Sequence, residues 1–254
     1  MPWRGRGVRL SHSFVIMGAM QSVERPPGVA RIAFGVNAVL AWLGVVLTGV
    51  ISTVDGYART AVEPGLYGGT PLGWPGAPMR LLDSLSYFTI WSNIVVAVST
   101  TLLALQPTAD SPVRRALRLS GLMMITITAI VYAVLLAPTT EVSGWSHITN
   151  PLTHIVVPIV TVGVWLVWGP RGWIRWTTIP ASLAVPVAWV VYMLIRGAIG
   201  GTYPYGFVNV GEHGYLRVFE TIAVIFVFGL FIGAFFAVLD WLIRRLTVRD
   251  EHTV

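Results

Sequence analysis

The sequence predicts an all-α protein: a polytopic transmembrane helix bundle of six spans with both termini cytoplasmic. Three observations predict it. Only 11% of the 254 residues are charged and 55% are hydrophobic, with a mean hydropathy of +0.72. A soluble domain carries about a quarter charged residues, so a chain of this size could not cover a water-facing surface. The apolar residues fall into runs of about 20, the length of a helix that crosses a bilayer. The arginines gather in alternate gaps between those runs, which sets the orientation.

Composition also excludes several chemistries. There is no cysteine, so disulfides, thiolate nucleophiles and cysteine-held metals are ruled out. All 17 basic residues are arginine. The net charge of +6 and pI of about 10.2 do not indicate a nucleic-acid partner, because these arginines flank apolar runs and read as topology signals beside anionic headgroups. No glycine-rich phosphate loop is present, and nothing implies a nucleotide, haem, flavin or other cofactor.

Residues 1–28 hold Arg4, Arg6, Arg9 and Arg25 and read as a mobile basic cytoplasmic tail. The apolar island 14–20 is too short to span and is poorly placed for a signal peptide, and Met17 or Met20 is an alternative start. A single membrane domain, 29–243, follows. Its expected spans are 29–54, 84–105, 117–137, 151–168, 176–195 and 218–242, and 244–254 form a second cytoplasmic tail. Backbone groups in lipid must bond within their own segment, so these spans are helices. Pro151 is expected at a helix start, where its missing N–H is harmless, while Pro158 and Pro186 are expected to kink spans 4 and 5.

Orientation follows from counting. One side collects Arg31, Arg114, Arg115, Arg118, Arg171, Arg175, Arg244, Arg245 and Arg249; the other has Arg59, Arg80, Arg196 and Arg217. The richer side is cytoplasmic. Loops 55–83, 138–150 and 196–217 are then outside. Trp74, Trp91, Trp145, Tyr203 and Tyr205 suit the outer interface, and Trp168, Trp173 and Trp176 the inner one.

Polar residues concentrate near the outer face. Thr89, Ser92 and Asn93 share one helical face of span 2, with Asp83 just before it. Asn150 and His154 lie one turn apart, and His154 is the only histidine inside a long apolar run. Glu220 opens span 6 and Arg196 ends span 5. Asn37 and Asp240 are the polar exceptions at the inner end. A histidine in hydrocarbon is expensive unless it faces a partner or a wet cavity. Each group also has a structural reading: Thr89, Ser92 and Asn93 as interhelical glue, Glu220 with Arg196 as an ion pair, His154 as a packing residue. Residues 200–207 read as a structured turn over the site mouth, where Tyr203 and Tyr205 could line an entrance.

At these residues the chain resembles a known family. Tyr87-Phe-Thr-Ile-Trp-Ser-Asn93, Asn150-Pro-Leu-Thr-His154 and Leu194-Ile-Arg-Gly197 with Tyr203-Pro-Tyr205 are similar to the bacterial branch of the androgen-induced-gene-one and androgen-dependent TFPI-regulating protein family. The likeness spans about 29–242. It implies a multi-span hydrolase of fatty-acid esters, with an essential Thr matching Thr89 and an essential His matching His154. The continuation Trp91-Ser-Asn93 and the Tyr203-Pro-Tyr205 turn depart from the animal members.

The expected chemistry is therefore that of a threonine-type lipid ester hydrolase in the bacterial inner membrane, multi-pass, acting on a lipid or fatty-ester substrate. Thr89 is the nucleophile and His154 the general base. Asn93 or Asn150 would donate to the oxyanion, and Asp83 or Glu220 would orient the imidazole. A non-enzymatic protein that binds or transports a lipid or small solute through the same cluster is the alternative. A metal-dependent hydrolase using His147, His154 and His213 is a third reading, without ligand-like spacing. The sequence sets no oligomeric state.

Overall fold

The computed structural model describes residues 27–59, 62–138 and 141–251. The expectations for 1–26 and 252–254, including the apolar island and most of the basic tail, lie outside these residues.

Seven helices form the described chain: α1 Pro27–Thr53, α2 Ala77–Ser84, α3 Phe88–Leu105, α4 Pro112–Leu136, α5 Ser146–Trp168, α6 Trp176–Gly200 and α7 Val210–Glu251. All but α2 are long and apolar enough to cross a membrane, so the chain is a helical bundle of the multi-pass membrane type. Among the described residues there is no β-strand.

Several boundaries differ from the sequence reading: α4 starts at Pro112 rather than 117, α6 runs on to Gly200 and α7 spans Val210–Glu251 rather than 218–242, and three further differences bear on the site. Span 2 starts at Phe88 rather than 84, because Tyr87 is extended and separates it from the short helix α2. Helix α5 starts at Ser146, so Pro151 sits inside a helix and not at its first position. The expected break at Pro186 falls one turn earlier: α6 is interrupted at Leu183. A proline ring clashes with the carbonyl four residues before it, here that of Ser182, so the disruption belongs there.

The bundle is organised around α4. It buries Leu119, Leu122 and Met123 against Trp165 of α5 and Phe236 of α7, and Ile125 against Ala41 of α1, Val96 and Ala97 of α3 and Val157 of α5. Helices α1 and α3 pack along each other, with Ala41 and Ala97 fully buried at the contact. Small residues let backbones approach, as expected where lipid offers helices no hydrophobic drive to associate. Gly44 of α1 is such a case, facing α5. A Cβ there would lie 2.9 Å from Thr153 Cγ2, which no real Cβ tolerates without a shift.

Loops 54–76 and 201–209 knit a crown over one end of the bundle. Tyr67 N–H donates to Tyr203 O at 3.1 Å, and Tyr203 N–H donates to Gly65 O at 2.8 Å. The Tyr203 ring lies directly on Gly197, where any side chain would collide with it. Arg80 fixes the crown to α1. Its guanidinium donates to the carbonyls of Ser52, Thr53, Pro71 and Gly73 at 2.6–3.0 Å. The last carbonyls of a helix have no helical partner, and Arg80 supplies one to two of them.

Two interface assignments change. Trp173 is buried with Phe34, Leu103 and Val164, and Tyr203 is only 3% exposed. Both serve as packing residues rather than interfacial anchors. Trp74, Trp145 and Trp176 are exposed.

Candidate active site

The site begins with how α3 starts. Tyr87 is extended (φ −70°, ψ 138°), so Phe88 and Thr89 form the first helical positions. Amides there have no acceptor within the helix. Ser92 Oγ and Asn93 Nδ2 both donate back to the Thr89 carbonyl at 2.8 Å. Asn93 Nδ2 also reaches the Thr153 carbonyl at 3.3 Å, tying α3 to α5. Ser92 Oγ lies 2.9 Å from Thr128 Oγ1 of α4.

His154 sits in a π-helical turn, Leu152–Val156, where Val157 N–H reaches back to Leu152 O. Pro151 and Pro158 flank this turn. Neither has an N–H, so the regular i→i−4 ladder is interrupted on both sides. Such π turns within α-helices recur at functional sites.

The two residues meet. Thr89 Oγ1 lies 3.1 Å from His154 Nε2, across 65 positions of sequence. The other ring nitrogen, Nδ1, lies 3.1 Å from the Asn150 carbonyl and 3.1 Å from Thr153 Oγ1. A carbonyl only accepts, so Nδ1 carries the proton. Thr153 Oγ1 donates to the Thr149 carbonyl at 2.8 Å, which leaves it an acceptor towards Nδ1. Nε2 of the neutral ring is then the acceptor, and it faces the Thr89 hydroxyl. Tyr132 stacks on the imidazole, with centroids 4.2 Å apart and planes 25° apart. Asn150 Nδ2 donates to the Tyr132 hydroxyl at 2.9 Å and so holds this cover in place.

The remaining expected members fall elsewhere. Asp83 pairs with Arg196, whose guanidinium lies 4.2 Å above the Tyr67 ring. Burial pushes the Asp83 carboxyl up, against the opposing pull of Arg196. Glu220 is exposed on α7 and pairs with Arg217 at 3.1 Å. The expected Glu220–Arg196 pair is therefore replaced by two separate pairs. Neither Asp83 nor Glu220 orients the imidazole; the Asn150 carbonyl does. The amide donors of Asn93 and Asn150 are both engaged in bonds that brace the site. Tyr203 packs in the crown, and Tyr205 reaches the Thr89 amide at 3.5 Å. Asn37 is buried far from the dyad in sequence and accepts from Thr161 Oγ1 at 3.1 Å, and Asp240 accepts from Gly172 N–H at 2.8 Å. Among the described residues, no three histidine or acidic side chains cluster as metal ligands would.

One space opens on Thr89, and a second lies nearby under the crown. An apolar cavity between α4, α6 and α7 is lined by Met123, Ile127, Trp189, Ile222 and Gly229, with Thr89 and Tyr205 among its few polar residues. A polar vestibule under the crown is lined by Asp55, Tyr57, Arg80, Asp83, Ser84 and Tyr87. A hydroxyl with a base at its side, an apolar chamber beside it and a polar chamber near it can carry out acyl transfer between a lipid and water.

Tyr132, Thr153 and Gly44 were not among the expected site residues. A tyrosine near a span end reads as an interfacial anchor, and a glycine in an apolar helix reads as packing. Only the position of Gly44, one more small residue in α1, hinted at a close approach. No protein-family model, curated protein or solved structure matches this chain.

Proposed function

We propose that the chain is an integral membrane hydrolase that cleaves a lipid ester of the fatty-acid class, with Thr89 as nucleophile and His154 as general base. We place it in the family that its motifs resemble. We further propose six spans with both termini cytoplasmic, in a bacterial inner membrane, so that the site lies in the outer-leaflet half. The arginine distribution supports that orientation.

The observation that carries the reading is the 3.1 Å contact between Thr89 Oγ1 and an Nε2 made an acceptor by the Asn150 carbonyl. In the proposed reaction the Thr89 proton moves to Nε2 as Oγ1 bonds the ester carbon and the carbonyl π pair moves to oxygen. Collapse breaks the bond to the alcohol oxygen, which takes the proton from Nε2. Water then gives a proton to Nε2 as its oxygen bonds the acyl carbon; the bond to Oγ1 breaks, Oγ1 takes the proton back from Nε2, and the acid leaves. Restricted χ1 of the β-branched threonine keeps Oγ1 aimed. The acyl chain lies in the apolar cavity that Thr89 lines.

The test is ester hydrolysis by purified protein in detergent across a chain-length panel, with wild type, Thr89→Ala and His154→Ala in parallel. Loss of at least about 10³-fold in both variants, each still folded, is expected for removal of a nucleophile or its base. Lipid binding without turnover by wild type would favour the second reading, a lipid- or solute-binding protein. The apolar cavity supports that reading too, because it needs no chemistry to hold a chain.

A further inference from the structure

A nucleophile and base need a third group, a donor for the negative charge that builds on the carbonyl oxygen. Of the amide side chains expected to supply it, Asn93 is taken up by the Thr89 and Thr153 carbonyls, and Asn150 braces Tyr132. The Tyr205 hydroxyl stands beside the start of α3, next to Thr89. We propose that the Tyr205 hydroxyl is the oxyanion donor of this site. The inference rests on the hydrolase reading and adds to it a residue with a defined role.

Three observations carry it. The Tyr205 oxygen lies 3.5 Å from the Thr89 amide, at the first turn of α3, where N–H groups have no helical acceptor. The oxygen is thus placed as an acceptor from the backbone, beside the Thr89 side chain. Tyr205 and Thr89 line the same apolar cavity, so an ester chain held there brings its carbonyl to both. The ring is fixed on three sides: Phe207 stacks on it at 5.1 Å and 5°, Tyr87 meets it edge-on at 5.5 Å, and Trp189 lies at 6.4 Å. A donor held this way needs no reorganisation when charge appears, which is the condition for strong electrostatic catalysis.

Burial supports the role. It pushes the Tyr205 phenol up to about 12, while the Thr89 side chain and the Phe88 and Thr89 amides pull the other way. The group therefore keeps its proton through the neutral and mildly alkaline range. In the proposed step it donates a hydrogen bond and retains that proton. The Thr89 proton alone is transferred, to His154 and then to the leaving alcohol. Backbone amides that feed the phenol oxygen polarise its O–H, so the chain of bonds strengthens the donor.

The experiment compares wild type, Tyr205→Phe and a protein carrying 3-fluorotyrosine at 205, on one soluble short-chain ester at pH 7. Tyr205→Phe keeps the ring and removes the hydroxyl. A fall in kcat of about 10²–10³ with KM nearly unchanged is expected from loss of one oxyanion donor. The fluorinated phenol is a stronger acid, and its kcat should match or exceed that of wild type. A role confined to accepting from the helix amides would give the opposite order, because fluorine weakens the oxygen as an acceptor. Should Tyr205→Phe fail to fold, the fluorotyrosine rate decides alone, and a rate clearly below wild type overturns the proposal. Tyr205→Phe within threefold of wild type overturns it while leaving the Thr89–His154 reading intact. Wild type inert towards every ester overturns both.

Discussion

The Nδ1 atom of His154 lies 3.1 Å from the Asn150 carbonyl, one turn earlier on the same helix. In the proposed hydrolase that contact stands where a carboxylate usually orients the imidazole. A neutral carbonyl fixes the tautomer but supplies no charge to an imidazolium, so a base held this way is weaker than one backed by an acid. Acyl transfer at this site should be correspondingly slow. A kcat at or below the ordinary enzyme median of about 10 s⁻¹ is expected for the best ester.

Gly44 lets α1 approach the turn that carries His154. In Gly44→Ala the new Cβ meets Thr153 Cγ2 at 2.9 Å, and Thr153 Oγ1 accepts from the imidazole. Threonine is stiff at χ1, so the turn itself must move. The expected loss of stability is about 1–3 kcal/mol, as for other overpacked sites. Activity should fall further than stability alone explains. Thermal melts beside kcat measurements on the folded fraction check this.

Gly229 lines the apolar cavity, and a Cβ there makes only ordinary contact with Ile127 Cδ1 at 3.5 Å. A larger side chain can therefore enter without disturbing the backbone. Gly229→Leu should leave hydrolysis of short esters within about threefold and lower kcat/KM for long-chain esters about tenfold or more, since each excluded methylene forfeits about 0.8 kcal/mol of burial. A chain-length profile of the two proteins reads this directly.

Much of this site was legible because membrane helices carry few polar side chains. Thr89, Ser92 and Asn93 stand on one helical face, and His154 is alone in an apolar run; the arginine count put all four at one end of the bundle. Depth is readable from such a count, but azimuth is not. Glu220 shares the depth of the dyad yet faces outward on α7 and pairs with Arg217. Asn150 stands on the expected face, but its backbone carbonyl, not its amide, meets the imidazole. Backbone acceptors leave no mark in a sequence. The helix start at Ser146 was hidden by Pro151, because proline at a first position and proline inside a helix look alike without neighbours.

Arg118 is fully buried on α4. Among the described residues its guanidinium nitrogens have no hydrogen-bond acceptor, and its Cζ lies 5.6 Å from the centre of the Phe34 ring. A buried charge without an acceptor is expensive, and replacing it with an apolar side chain of similar length removes that cost. Arg118→Met should raise stability by about 1–4 kcal/mol, by analogy with buried ionic groups exchanged for apolar ones. Unfolding in mixed detergent measures it, and a lower stability would mean that the cation has an anionic partner in the membrane.

Arg80 has the opposite expectation. Its guanidinium satisfies four carbonyls and holds the crown on the end of α1. Arg80→Met strands those acceptors. Hydrogen bonds to charged groups contribute about 1.5–3 kcal/mol each, so the crown should loosen by at least about 3 kcal/mol. Faster amide exchange at 65–67 and 203, where the two loops bond, is the predicted sign.

The nucleophile can be identified directly by covalent trapping. Purified protein is treated with an alkyl fluorophosphonate and mapped by peptide mass spectrometry, alongside His154→Ala. A phosphonyl adduct on Thr89 in the wild type, absent or strongly slowed without His154, is the predicted result. Ester turnover with no adduct on Thr89, or an adduct on another residue, would contradict the assignment of Thr89 as the attacking group.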